Sequence, residues 1–140
     1  MLNRSLTIWR SYRSLPLWVQ VWVGGILVPV NAAAFVLTNT PSGYWAAWAA
    51  VFVVATNVPI MWKEQGMSKL MSLPHLVAWI PLHAFLLLRL TGTVGAQPLS
   101  HPELMLAAAL LMVNGISLVF DTLDSFKWWR GDRQVPGHPA

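Results

Sequence analysis

Four long apolar stretches divide the sequence, and they constrain the fold more than any other feature. We place them at about residues 17–38, 44–62, 75–92 and 103–121. Each is close to the length of about 20 residues that a helix needs to cross the hydrocarbon core of a bilayer. In hydrocarbon, only helices and closed barrels satisfy all of their backbone polar groups. The stretches therefore predict an all-α fold, an integral membrane four-helix bundle with four transmembrane helices.

Positive charge is unequally distributed among the segments that flank these stretches. Eight of the nine Lys and Arg residues lie before the first stretch, between the second and third, or after the fourth. The two remaining connecting segments contain no Lys or Arg. Because segments rich in Lys and Arg stay on the cytoplasmic side, we expect the N and C termini both to be cytoplasmic. The same asymmetry argues against a dual-topology antiparallel dimer.

The chain divides into a basic amphipathic segment at the inner membrane surface (1–16), a four-span transmembrane domain (17–126) and a basic cytoplasmic tail (127–140). The first segment carries Leu2, Leu6 and Trp9 at helical spacing, which is typical of a helix in the headgroup region, although a frayed tail remains an alternative. We interpret the first apolar stretch as a retained helix, not a cleaved signal peptide, because it is long enough to span. The part of the tail after Gly131 is rich in Pro, Gly and charge, and we expect it to be irregular.

The composition narrows the choice of partners and of compartment. The chain is 56% apolar and 10% charged, with a formal charge of +4. Its basic residues are split among short segments and form no single stripe, so we expect membrane lipids with anionic headgroups as partners and no nucleic acid. The absence of Cys excludes disulfides and thiolate-bound metals. The compact chain favours a bacterial cytoplasmic (inner) membrane.

Polar residues inside the predicted spans are the candidate functional residues. Asn57, His83 and Asn114 come from three spans and fall roughly 7–12 Å from the inner boundary at the helical rise per residue, so we expect one intramembrane polar layer. The first interpretation is hydrogen bonding between helices. The second is a proton or ligand site at His83, because an ionisable group inside a membrane is a functional candidate by default.

Two further polar residues, Asn31 and Arg89, fall in the outer half of the spans. Arg89 lies about one turn from the outer end of its span, and its long side chain is able to reach the headgroups. Snorkelling of the guanidinium is therefore the first interpretation. Binding of an anion or substrate, and pairing with Glu103, are the alternatives.

A cluster of charged residues follows the inner end of the fourth span. It consists of Asp121, Asp124, Lys127, Arg130 and Arg133. We expect ion pairs here, between Asp124 and Lys127 and between Asp121 and basic residues of the N-terminal segment or inner loop. A docking surface for another protein is the alternative. The two Asp residues share a helix face but supply too few ligands for a magnesium or calcium site.

No cofactor, metal site or catalytic residue is predicted. A haem would need a second axial ligand from another span, and Met112 is the one residue at a depth comparable to that of His83. We regard Met112 as a side chain that fills the core.

Three classes of function remain. The first is a non-catalytic accessory, assembly or scaffold subunit of a membrane complex, or a homo-oligomer, and the small size and minimal loops favour it; its partners would be other membrane protein subunits or itself. The second is a small transporter or channel that uses the polar layer around His83. The third, an interfacial lipid or quinone enzyme or a haem-binding bundle, lacks a convergent set of acid, base or metal ligands. The sequence thus leans against an enzyme without deciding the question.

Overall fold

The computed structural model describes residues 2–139, except for the side chain of Leu2. The chain is 78% helical, and the described residues contain no strand. Four helices are long and apolar enough to cross a membrane, which confirms the predicted all-helical architecture. Met1 and Ala140, at the ends of the predicted segments 1–16 and 127–140, lie outside the described residues. The helices are α1 (Leu2–Ser14), α2 (Leu17–Val36), α3 (Pro41–Glu64), α4 (Ser72–Leu90) and α5 (His101–Trp129).

Capping residues determine where two of the long helices begin. The hydroxyl of Thr40 accepts a hydrogen bond from the backbone N–H of Gly43 at 3.1 Å, and α3 follows. The hydroxyl of Ser100 accepts one from the N–H of Glu103 at 3.3 Å, and α5 follows. Ser and Thr are preferred at this position because they satisfy a free backbone donor of the first turn. Both helices therefore start slightly before the apolar stretches that predicted them.

The fourth long helix also continues beyond the predicted end of its apolar stretch. It runs through the polar residues after Phe120 as far as Trp129. The helix stops before Gly131, whose φ of +100° lies in the left-handed region that favours glycine. Asp121, Asp124 and Lys127 of the charged cluster thus lie on α5, whereas Arg133 follows the end of the helix.

Helix α2 is the least regular of the long helices. Its residues Trp22–Leu27 form a π-helical segment, and it ends in a short 3-10 segment, Ala33–Val36. The π-helical segment immediately precedes the turn that contains Pro29. Proline lacks the backbone N–H that would bond to the preceding turn, and π-helical segments are a common response to such an interruption of the α-helical ladder.

Helix α5 is the centre of the bundle, since α2, α3 and α4 all pack against it. Leu82 and Leu86 of α4 meet Leu106, Ala107 and Leu110 of α5 in the buried core. Large apolar side chains are exposed on the outside of all four long helices. The bundle thus presents apolar side chains to its surroundings, as helices that pack in lipid do.

The bundle has two chemically different ends. We call one end of the bundle the terminal end: α2 and α4 begin there, α3 and α5 end there, and the described N-terminal and C-terminal segments lie beside it. The opposite end, formed by residues 37–40 and 91–100, is the loop end. A short 3-10 turn, Lys69–Met71, leads into α4 at the terminal end.

The terminal end is covered by a folded layer that we call the terminal cap: α1, residues 65–71 and residues 131–139. The buried hydroxyl of Ser11 accepts a hydrogen bond from the N–H of Met67 at 2.9 Å. Val135 is buried, and Nε2 of His138 lies 3.1 Å from the carbonyl oxygen of Gln65. The N-terminal segment is therefore a helix, not a frayed tail. After Gly131 the C-terminal tail is irregular, as its composition predicts, but it packs against α1 and against residues 65–71, which we call the connection.

Candidate functional site

Polar side chains inside the bundle form three separate clusters, and the first lies at the loop end. The guanidinium of Arg89 donates from Nε and Nη2 to the two carboxylate oxygens of Glu103, at 2.9 and 3.0 Å. Both residues are 2% exposed. The arrangement is a buried, bidentate ion pair, which is among the strongest hydrogen-bonded pairs that side chains form.

Further contacts complete the hydrogen bonding of this pair. Oε1 of Glu103 also accepts from the backbone N–H and the hydroxyl of Ser42, at 3.2 and 2.8 Å. Nη1 of Arg89 donates to the carbonyl oxygen of Gln97 at 2.6 Å. A Cβ added at Gly95 would lie 2.5 Å from the same Nη1 atom, so the loop passes close over the guanidinium. The cluster joins α3, α4, α5 and the loop between α4 and α5.

The interpretation that Arg89 snorkels is therefore wrong. The guanidinium points into the bundle, and the alternative of pairing with Glu103 is the arrangement observed. The physical reason is the loop of residues 91–100, which folds back over Arg89 and brings the first turn of α5 beside it. Once Glu103 is within reach, the pair satisfies its own hydrogen bonds and has no need of headgroups.

The second cluster joins α2 to α5 in the middle of the bundle. Nδ2 of Asn31 donates to Oδ1 of Asn114 at 2.7 Å, and Nδ2 of Asn114 donates back to Oδ1 of Asn31 at 3.0 Å. Asn31 also donates to the carbonyl oxygen of Leu27 at 2.9 Å. Closer to the terminal end, the indole N–H of Trp22 donates to the hydroxyl of Ser117 at 3.0 Å. Asn31 thus pairs with Asn114, while Arg89 lies in the cluster at the loop end.

His83 lies between two backbone carbonyl groups. Its Nδ1 atom is 2.9 Å from the carbonyl oxygen of Trp79, and its Nε2 atom is 3.2 Å from that of Leu111. A Cβ added at Gly115 would lie 3.4 Å from Nε2, so a small residue there leaves room for the ring. Carbonyl oxygens only accept hydrogen bonds, and a neutral imidazole has one N–H. One of the two contacts is therefore a hydrogen bond only when the ring is protonated.

The predicted polar layer of Asn57, His83 and Asn114 does not form. Each residue has its own partners on a different pair of elements, because a common depth does not give the three side chains a common direction. Met112 is 66% exposed on the outside of α5, so the expectation that its side chain fills the core is wrong. It does not face His83, so these two residues do not form the paired ligands that a haem would require.

The third cluster lies near the terminal end and joins α3, α4 and α5. Nδ1 of His75 lies 3.1 Å from Oδ1 of Asp121, and Nε2 of His75 lies 2.9 Å from Nδ2 of Asn57. The indole ring of Trp79 stacks on the imidazole, with 4.3 Å between the ring centroids and 5° between the planes. We call these four residues the His75 cluster.

Unused hydrogen-bonding capacity is concentrated at this cluster. Among the buried side-chain polar atoms of residues 2–139, four lack a partner: Asn57 Oδ1, Trp79 Nε1, Asp121 Oδ2 and Ser125 Oγ. Three of the four belong to the His75 cluster, and Ser125 lies one helical turn beyond Asp121. Buried polar groups are normally hydrogen-bonded, so a concentration of open donors and acceptors is typical of a place where another group binds.

The ion pairs predicted for the charged cluster do not form among the described residues, and other contacts take their place. Asp121 contacts His75 and not a basic residue of α1 or the connection. Within the described chain, Asp124 and Lys127 do not form an ion pair closer than 4.0 Å, whereas Lys69 and Asp132 do, at 3.2 Å. The remaining basic residues of the cluster rest on aromatic rings: Arg130 lies over Phe126 at 5.6 Å and Arg133 over Trp128 at 4.4 Å.

The sequence contained an indication of the His75 cluster, but the predicted depths of the residues did not show which histidine belongs to it. His75 and Asp121 both lie near the inner ends of their predicted spans, but the predicted layer used His83 in place of His75. Nothing in the sequence marks Ser42 or Gln97 as partners of the ion pair at the loop end.

No three His, Asp or Glu side chains within residues 2–139 converge in a way that would hold a metal ion. Comparisons with protein-family models, with curated proteins and with solved structures found no match to this chain.

Proposed function

We propose that this protein is a non-catalytic accessory, assembly or scaffold subunit of a membrane complex, and that the terminal cap is the surface through which it acts. The observation that carries the proposal is the cap itself. The chain folds both of its ends and one connection into a single layer at one end of the bundle, while the loop end has only a short turn and one loop. This concentration of structure favours docking at the terminal end.

The charge of the cap supports an acidic partner. Among the described residues at this end, more basic than acidic residues are exposed, and Asp132 is the exposed acidic residue. Complementary charge steers association and fixes the register of an interface. The exposed basic residues at this end are Arg4, Arg10, Arg13, Lys63, Lys127, Arg130 and Arg133.

The bundle itself supports a structural role more than a catalytic one. Arg89 and Glu103 use their hydrogen-bonding capacity on each other and on the neighbouring backbone, and the Asn31–Asn114 pair does the same. Groups engaged in this way hold helices together. A transporter needs polar groups that are able to exchange partners with a substrate, and within residues 2–139 the buried atoms without a partner are confined to the His75 cluster and Ser125.

The proposal is tested by native mass spectrometry of the full chain extracted with its lipids. We expect stoichiometric association with another membrane subunit or with a second copy, and the mass distinguishes these two cases. The double variant Arg10→Gln/Lys127→Gln removes one exposed charge from the cap and one from the adjoining end of α5, and it should weaken the complex at least several-fold. Met112→Leu, on the outside of the bundle, is the matched control and should leave the complex intact. A wild-type chain that carries only lipid at every protein concentration would overturn the proposal.

A further inference from the structure

We propose that His75 is a proton-binding site, an imidazole that takes up and releases a proton while Asn57 of α3 exchanges one hydrogen-bonding atom for another. The inference is independent of the proposed docking function. It rests on the contacts of the imidazole ring and on the unpartnered atoms around it.

The two ring nitrogens of His75 face groups of different chemistry. Nδ1 lies 3.1 Å from a carboxylate oxygen of Asp121, which accepts a hydrogen bond in either protonation state of the ring. Nε2 lies 2.9 Å from the side-chain amide nitrogen of Asn57, which donates. With Nδ1 protonated and Nε2 free, both contacts are hydrogen bonds. The geometry therefore corresponds to the neutral ring.

The amide of Asn57 is able to follow a change of protonation. When Nε2 takes a proton from a hydronium ion, an O–H bond breaks, a water molecule is released, and this nitrogen becomes a donor that repels the amide N–H groups. Rotation of the amide by half a turn presents Oδ1, which is buried and has no other partner. The protonated ring then donates to Asp121 on one side and to Asn57 on the other. No covalent bond other than the new N–H is made, and the charge of the pair with Asp121 changes from negative to neutral.

Two unpartnered polar atoms of α5 lie on the side of the cluster. They are Oδ2 of Asp121 and Oγ of Ser125, both of them buried, and residues four apart lie on the same face of a helix. The side chain of His75 is itself 17% exposed. The imidazole is therefore partly accessible for the exchange of a proton.

Other charged groups surround the site on the elements that pack against α4. They are Asp121, Asp124 and Lys127 on α5, Lys63 and Glu64 at the end of α3, and Lys69 in the connection. Asp121 is the one of these that contacts the imidazole. Lys69 is already paired with Asp132.

His83 provides a contrast within the same helix. Both of its ring nitrogens face backbone carbonyl oxygens, and neither carbonyl is able to become a donor. A change of protonation at His83 therefore breaks or creates a hydrogen bond without a compensating rearrangement. This difference makes His83 the matched control for His75.

The stacked indole of Trp79 supplies a direct readout. Its ring is parallel to the imidazole at 4.3 Å and is 3% exposed. A protonated imidazole quenches the fluorescence of an adjacent indole, whereas a neutral one does so weakly. Binding of a proton at His75 should thus lower the emission of the protein.

The test is a pH titration of tryptophan emission for the full chain in lipid nanodiscs. We expect emission to fall in one transition as the pH decreases, and His75→Gln to abolish that transition while His83→Gln retains it. A transition that survives in His75→Gln or disappears in His83→Gln overturns the proposal.

A second measurement covers the case in which His75→Gln fails to fold. Solid-state NMR of the protein labelled with ¹⁵N-histidine reports the protonation of each ring nitrogen directly, and the variants His83→Gln, His101→Gln and His138→Gln assign the signals of the other three histidines. We expect the Nε2 signal of His75 to change from the unprotonated to the protonated position between about pH 9 and about pH 4, a range that spans the ordinary titration of histidine. A signal that keeps its position over this range contradicts the proposal.

Discussion

Glu103→Gln should be among the most destabilising conservative substitutions in this chain. The change preserves the shape of the side chain but removes the charge that balances Arg89, and it replaces one accepting oxygen by an amide that donates. In the native protein the carboxylate accepts four hydrogen bonds, two from Arg89 and two from Ser42. The amide of glutamine retains one oxygen for these donors and turns its N–H groups toward Nε or Nη2 of the guanidinium.

The expected cost follows from burial. Both partners are 2% exposed, so the guanidinium of Arg89 cannot recover its hydration without opening the bundle. Removal of one partner from a buried ion pair costs about 3–5 kcal/mol. Since about 1.4 kcal/mol corresponds to a factor of ten in an equilibrium constant, the unfolded fraction should rise by roughly two to three and a half orders of magnitude.

The assay is reversible unfolding in mixed detergent and lipid micelles, followed by far-ultraviolet circular dichroism. Asp132→Asn is the matched control, because Asp132 forms an ion pair with Lys69 but its side chain is 50% exposed. An exposed pair contributes about 0–1 kcal/mol. If Glu103→Gln costs no more than Asp132→Asn, the reasoning about the buried pair is refuted.

A double substitution separates the loss of the pair from the exposure of a lone charge. Arg89→Met/Glu103→Leu replaces both partners by apolar side chains of similar size. Replacement of a whole buried pair is often neutral or stabilising, whereas removal of one partner is not. We therefore expect the double variant to be more stable than Glu103→Gln alone, and the same unfolding titration measures the difference.

Two further predictions concern the other contacts between elements. Asn114→Ala leaves Asn31 without its reciprocal partner and should cost about 1–2 kcal/mol; the double variant with Asn31→Ala should cost less than the sum of the single costs in the same unfolding titration. Gly66→Ala places a Cβ 2.5 Å from the hydroxyl of Ser11 and should loosen α1, seen as several-fold faster cleavage of the N-terminal segment by trypsin. Gly25→Ala, where the added atom meets only an ordinary contact at 3.8 Å, is the control and should leave that cleavage rate unchanged.

The bounds of the helices could be predicted closely because they depend on local chemistry. Apolar runs of spanning length predict the long helices, and residues such as Thr40 and Ser100 satisfy the first free backbone donors wherever they precede such a run. The end of α5 was harder to place. The residues after Phe120 are too polar to count as part of the apolar stretch, but they still form a helix. The apolar stretch therefore ends before the helix does.

The partners of the buried polar groups could not be predicted in the same way. Sequence position gives the depth of a residue along its helix, but the direction of its side chain turns by about 100° with each residue at 3.6 residues per turn. Asn57 and Asn114 have comparable predicted depths and yet face His75 and Asn31. These directions are set by the packing of all the apolar side chains between helices. The fold of residues 91–100 over Arg89 is a tertiary feature of the same kind.

The difference between the two ends of the bundle implies that stability and function respond to different substitutions. At the loop end, the carboxylate of Glu103 has its hydrogen bonds within the protein, so a change there alters the energy of the fold and leaves no group free to act. Near the terminal end, Asn57 and Asp121 each have a buried polar atom without a hydrogen-bond partner. Burial of such an atom costs stability, so a substitution that removes the atom also removes this cost. Asn57→Leu should therefore cost less stability than Glu103→Gln, while abolishing the exchange of hydrogen bonds that we propose at His75. If Asn57→Leu instead destabilises the bundle as strongly as Glu103→Gln, the amide is a structural tie and the argument for a functional terminal end loses its basis.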